Sequence, residues 1–241
     1  VAVREVGGIL IGAFDEATLV GFAFGFVGCE DGEVVHHSHM LAVKRSHRSY
    51  NLGYRLKLAQ RHRALEQGIK RMTWTFDPLQ SLNAYFNFNK LGVLSDKYKV
   101  DFYGGSTSSP LHQTGTDRLW ISWLLDSPRV KHRVESGPKP NDENRASTTF
   151  IRCNDSNIPE TIATIADCNG TAVIEIPNDI GSIEGGHPSL ARHWRDETRR
   201  AFQEAMGAGY VVSDFVRRSA GDTEVGMYFL KLGKMDDLAF S

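Results

Sequence analysis

Residues 41–57, LAVKRSHRSYNLGYRLK, change their periodicity across one short turn. Ahead of the turn, VVHHSHMLAV at 34–43 reads as a strand with Val35, His37, His39, Leu41 and Val43 on one face. Behind it, Leu52, Leu56 and Ala59 recur at helical spacing, with Tyr54, Leu58 and Leu65 beside them and Gly68 as a stop. Arg55, Lys57, Arg61 and Arg63 form the expected wet side of that helix. A chain built from such strand-to-helix passages is of the α/β class.

The surrounding segments fit this class. GGILIGAF at 7–14 and TLVGFAFGFVG at 18–28 read as a hairpin, and KRMTWTFD at 70–77 as a strand that ends at Pro78. LQSLNAYFNFNKLG at 79–92 reads as a helix closed by a glycine, followed by strands over 98–103 and 117–125. Residues 126–147 are polar, hold three prolines and lack an apolar period, which marks a linker. The expected organisation is therefore a first domain over 1–126, a linker over 127–147 and a smaller α/β domain over 148–241. In the latter, 171–177 and two later segments from Tyr210 and Gly226 read as strands, and 189–208 as a helix. IEGGHPS at 183–189 reads as a loop before it.

Charge narrows the partners. Lys and Arg total 28 against 29 for Asp and Glu in 241 residues, so bulk charge gives no argument for nucleic acid or a membrane surface. Arg192, Arg195, Arg199 and Arg200 make a basic stripe, but Asp196, Glu197 and Glu204 interleave with it as in an ion-paired solvated face. Cys29, Cys153 and Cys168 are odd in number and form no CxxC pair, which fits a reducing compartment, and no apolar run approaches the ~18 residues of a membrane span. A soluble, cytoplasmic protein is expected.

A helix start offers unpaired N–H groups and the positive end of the helix dipole, so the turn can hold a phosphate. Asn51 tolerates positive φ, Gly53 permits close approach, and Arg48, with Lys44 and Arg45 nearby, adds charge. With its flanks, LAVKRSHRSYNLGYRL resembles the acyl-CoA-binding segment of the GNAT superfamily of N-acetyltransferases, in which a strand leads into R/Q-x-x-G-x-G/A at a helix start. Arg48, Asn51 in the first glycine position and Gly53 carry the match. LNAYFNFNKLGV at 82–93 resembles the family's second segment, with Ala84, Lys90, Leu91 and Gly92 in register.

The resemblance implies a mixed, mostly antiparallel central sheet flanked by helices, with an acetyl-CoA or other acyl-CoA co-substrate. Leu41, Ala42 and Val43 would pair with the pantetheine arm. Arg48, Ser49, Tyr50, Asn51, Leu52, Gly53 and Tyr54 would bind the pyrophosphate, and Asn83 or Asn87 the pantetheine amides. It also implies a front portion, ahead of the hairpin, that is missing before Val1.

Transfer of an acyl group to an amine by direct attack on the thioester needs a base and a proton source for the departing sulfur. His37, His39 and Asp77 are the candidate bases, His39 foremost. The family's tyrosine acid aligns with Phe88, which leaves Tyr85, one turn earlier, as the substitute candidate. His37 and His39 supply only two ligands, so no metal site is assigned. The expected activity is acyl-CoA-dependent N-acyl transfer to an unidentified amine; the alternative is a non-catalytic acyl-CoA-binding or regulatory module. A homodimer is left open as the assembly.

Overall fold

The structure, a computed structural model, describes residues 2–104, 114–138, 147–220 and 223–240. The chain forms two compact units, one from residues 1–74 with 122–127 and the other from 75–121 with 128–241. Each carries a mixed, mostly antiparallel sheet with helices packed on it, the fold class the resemblance implies for the first domain, although the two units do not coincide with the expected 1–126 and 148–241.

In the first unit, α1 (Ala2–Glu5) precedes β1 (Ile9–Asp15), β2 (Thr18–Glu30) and β3 (Glu33–Val43). A 3-10 turn over Arg45–Tyr50 leads into α2 (Leu52–Glu66), and β4 (Arg71–Phe76) follows. The strands lie in the order β1-β2-β3-β4, antiparallel up to β3 and parallel between β3 and β4. The β2–β3 register slips by one residue, pairing Phe24 with Met40 but Gly25 with Ser38, so His39 is the extra residue of a β-bulge. The bulge corrects the single face expected for β3. His37 and His39 keep to the side of Phe24 and Phe26, whereas Leu41 and Val43 turn to the side of α2.

The α2-facing side of β2 is made of Gly21, Ala23 and Gly25, and this smallness lets long side chains lie across it. Leu56, Lys57, Gln60 and Ala64 are buried there. Lys57, expected on the wet side, is thus inside. Gly25 is required: a Cβ there would sit 2.5 Å from the His37 carbonyl oxygen and 2.4 Å from His36 Nε2. Gly25→Ala is expected to destabilise the protein by about 1–3 kcal/mol through overpacking, read as a lower midpoint in urea.

The second unit contains α3 (Ser81–Ala84), which runs into a π-helical turn over Tyr85–Leu91, then β5 (Leu94–Lys99) and β6 (Arg118–Leu124). The last residues of β6, from Ser122, belong to the first unit. Next come α4 (Pro128–Ser136), β7 (Thr148–Cys153), β8 (Pro159–Thr161), β9 (Thr171–Pro177) and α5 (Ile180–Gly186). The unit ends with α6 (Pro188–Gly207), β10 (Tyr210–Ala220), β11 (Thr223–Leu232) and α7 (Met235–Phe240). Its strands follow the order β6-β5-β10-β11-β9-β7-β8. Aromatic rings fill the core, where Phe88 lies 5.8 Å from Tyr228 and 6.2 Å from Phe76, and Tyr228 in turn 4.7 Å from Phe215.

Three expectations shift. The stretch read as a linker begins with α4, anchored by buried Val130 and Arg133, and the rest of that stretch over 139–146 lies outside the described residues. The strand placed at 98–103 starts at Leu94 and gives way to turns after Lys99. The 183–189 segment is largely helical, because Asp179 caps α5 by accepting from the Ser182 N–H.

Candidate functional site

The turn after β3 has the local geometry that phosphate binding demands. Asn51 sits in the left-handed region at φ 56° and ψ 23°, and α2 starts at the next residue. Its first i to i−4 bond is from the Arg55 N–H to the Asn51 carbonyl, 3.1 Å, so the N–H groups of Leu52, Gly53 and Tyr54 come before the helical ladder begins. No side chain caps them at Asn51. Gly53 needs no glycine for internal packing, since a Cβ there would stand 3.6 Å from Leu41 Cδ2 in ordinary contact. The missing methyl therefore leaves room at the helix mouth. Lys44, Arg45, Arg48 and Arg55 are exposed around it, and Arg48 Nε reaches the Val43 carbonyl at 3.4 Å. Tyr50 is exposed and Tyr54 half-buried.

Beside the turn, Leu41, Ala42 and Val43 pair with Ala23, Phe22 and Gly21 of β2. The described pairing of β3 with β4 is limited to His36 with Met72 and His37 with Thr73. Past His37 the two parallel strands no longer pair, so the 41–43 backbone has a ladder on its β2 side alone among the described pairings. The bulge at His39 falls where the pairing ends.

Two imidazoles mark that place. His37 Nδ1 lies 3.1 Å from the Thr73 hydroxyl, and its ring is 5.5 Å from Phe26 and 6.4 Å from His39. The His39 ring packs at 5.7 Å from Phe26 and 6.2 Å from Phe24. Burial lowers the His37 pKa, and nearby His39 and Lys57 lower it further against an opposing pull from Glu30, so near neutral pH the ring is an uncharged proton acceptor. On the opposite side of the strand, Lys57 Nζ donates to Ser38 Oγ at 2.7 Å and stands 3.5 Å from the Trp74 ring centroid. Ser38 Oγ donates to Gln60 Oε1 at 2.8 Å, and Gln60 Nε2 lies 3.2 Å from His36 Nε2. Burial pushes the Lys57 amine well below its ordinary range and brings His36 down to about 4.

The other predicted residues belong to the second unit. Asp77 accepts both terminal nitrogens of Arg195, at 2.7 and 2.8 Å, and its Oδ1 also takes the Leu79 N–H at 3.0 Å. With both oxygens held by a guanidinium, Asp77 is an ion-pair partner rather than the free base the sequence suggested. Asp77 and Asn83 do come together, in the wall of a cavity of about 520 Å³ that Thr75, Gln80, Tyr103 and Arg118 also line. Tyr85 is half-buried and is not among the lining residues, and Asn87 is buried. Phe88 is wholly inside the core. Tyr103 and Arg118 escaped sequence reasoning, although the basic residue opening the DRLWISW strand was a visible oddity. Among the described residues no group of three or more His, Cys, Asp or Glu side chains is placed to hold a metal ion. Nor is any described helix long and apolar enough to cross a membrane.

Against protein-family models and curated proteins nothing matches. Solved structures similar to about half of the chain include acetyltransferases. One is a GNAT family acetyltransferase from Elizabethkingia anophelis with acetyl-CoA bound, 15% identical at a TM-score of 0.43, covering 51% of this chain and 81% of that one. Another is the PaiA N-acetyltransferase from Thermoplasma acidophilum in complex with coenzyme A, 18% identical at 0.35, covering 48% of this chain and 60% of that one. A third is the ribosomal-protein-S18-alanine N-acetyltransferase from Escherichia coli, 12% identical at 0.41, covering 49% and 69%.

Proposed function

We propose that the chain binds an acyl-CoA at the mouth of α2 and transfers the acyl group to an amine. The observation that carries this reading is the turn: a left-handed Asn51, three N–H groups ahead of the ladder, a glycine the fold does not need, and four exposed basic side chains around them. The 41–43 edge beside β4 suits an extended pantetheine, whose amides can bond a strand's backbone. In the reaction the amine lone pair attacks the thioester carbonyl, the C–N bond forms and the C–S bond breaks. The amine's proton passes to a base, and the departing thiolate takes a proton from water. His37 is an uncharged imidazole held by Thr73, and His39 lies beside it; this pair is the base, with acetyl-CoA as the expected donor.

Calorimetric titration with acetyl-CoA and CoA tests the turn. Micromolar binding is expected, reduced roughly tenfold or more by Arg48→Glu, which replaces attraction by repulsion. Gly53→Ala separates ligand from fold: it is expected to weaken binding while leaving stability equal or about 0.5–1 kcal/mol higher, because alanine is the better helix former. No heat with either nucleotide would remove the reading. A second reading, a CoA-binding module without catalysis, is favoured by Phe88, which is buried where the resemblance places a proton donor. Release of free thiol on adding amines is expected of the enzyme and absent from the module.

A further inference from the structure

Strand β3 lacks apolar alternation where it matters most. His36, His37, Ser38 and His39 are four polar residues in a row, so hydrophobic burial does not decide which of them turn toward α2. One side chain of α2 does. Gln60 is fully buried and reaches two β3 residues spaced two apart: its Oε1 accepts from Ser38 Oγ at 2.8 Å, and its Nε2 lies 3.2 Å from His36 Nε2. Gly25, the β2 residue paired with Ser38, leaves the passage for it, since a Cβ there would stand 3.1 Å from Gln60 Nε2.

The bonds run one way. Lys57 Nζ donates to Ser38 Oγ at 2.7 Å, so the Ser38 proton goes to Gln60 Oε1 and the Gln60 N–H to His36 Nε2. His36 then holds its own proton on Nδ1, where the buried ring has no hydrogen-bond partner. An unmet buried N–H works against stability, and a buried polar bridge that lowers stability can be kept because it selects one register. With His36 and Ser38 held toward α2, the His37 and His39 rings take the side of Phe24 and Phe26, and the register slips immediately after Ser38.

We propose that Gln60 is a positioning residue for acyl transfer: by bridging His36 and Ser38 it fixes the face and register of β3 at the bulge, and so places the His37 and His39 rings. This rests on the reading of those two imidazoles as the base.

Gln60→Leu and Ser38→Ala cut the bridge from either end. Ala64→Gly, one turn along the same helix, lowers stability without touching it and serves as the control. The readout is the through-space NMR contacts of the His37 ring with Phe26 and of the His39 ring with Phe24, taken beside kcat for thiol release from acetyl-CoA with an amine. Both bridge variants are expected to lose those contacts and to drop in kcat by about tenfold or more, while CoA affinity at the separate 48–54 turn stays within about threefold. Ala64→Gly is expected to keep the contacts and kcat, and Ser38→Thr, which retains the hydroxyl, to keep both as well. Ser38→Ala removes a single oxygen and decides the matter should Gln60→Leu not fold. Bridge variants that retain both ring contacts, or an Ala64→Gly protein that loses them equally, would overturn the positioning role alone. An undiminished kcat in a variant carrying both His37→Gln and His39→Gln would overturn the base reading, and this inference with it.

Discussion

Arg195→Met is expected to destabilise the protein by about 3–5 kcal/mol, among the largest effects a single change can have here. Arg195 is buried in α6 and bonds Asp77 through both terminal nitrogens, at 2.7 and 2.8 Å. Burial by itself would lower the Arg195 pKa, but the paired Asp77 carboxylate raises it above the usual arginine value, so the ion pair stays charged. The substitution leaves the Asp77 carboxylate, 13% exposed, without its counter-charge. Asp77→Asn should cost less, since the amide oxygen still accepts one N–H, and Asp77→Leu with Arg195→Met less than the sum of the singles. Urea denaturation of the wild type, Asp77→Leu, Arg195→Met and the double variant checks this cycle, with Asp77→Asn measured beside it. Additive effects would mean that the pair does not act as a unit, and an Asp77→Asn protein of unchanged stability would return Asp77 to candidacy as a base.

That ion pair shows where sequence reading stops. Asp77 and Arg195 are 118 positions apart, and no local pattern joins them. The same holds for Arg199 and Asp117, whose pairing at 2.8 Å replaces the plain solvated stripe expected along α6. Elements with a strong period were legible: β2, β3, α2, β9 and α6 lie close to where alternation or helical spacing puts them. Irregular ones were not. The His39 bulge reverses the faces of Leu41 and Val43, and period-two alternation carries no trace of an inserted residue. Helix α5 hides behind Gly185 and Gly186, and α4 behind a polar, proline-bearing composition. Lys57 is the sharpest case. Its charge says solvent, but the strip of Gly21, Ala23 and Gly25 across from it leaves space that a long side chain fills. The turn at 48–54 was legible because it is local in sequence, whereas the Arg118 cavity needs residues from 75 to 118 to meet.

Stability is expected to fall on acidification from about pH 6.5 to about pH 4, and this dependence is expected to flatten in His36→Gln. His36 is fully buried, with Nε2 on Gln60 and Nδ1 lacking a hydrogen-bond partner, so burial first and then the Lys57 charge bring its pKa to about 4. Between those two values the unfolded chain binds a proton that the folded chain refuses, so stability rises with pH there and is lost as pH falls. The separation corresponds to roughly 3 kcal/mol across that range. Half-buried His37 adds the same sign. Lys57 obeys the same rule higher on the scale: its folded pKa lies well below the ordinary 10.5, so stability should keep rising with pH up to that ordinary value. Lys57→Met removes this slope and, at neutral pH, is expected to leave the protein as stable or more so, since thioether and methylenes suit a site without a carboxylate. The contact of Nζ with the Trp74 ring opposes this, but a cation over a ring recovers only about 2 kcal/mol when desolvated. Denaturant midpoints of the wild type and both variants from pH 4 to 10 decide the matter. A Lys57→Met protein strongly destabilised at pH 7, with the wild-type slope unchanged, would mean that Lys57 is held as a charged amine by Trp74 and Ser38, and that the network beneath β3 is ionic rather than neutral.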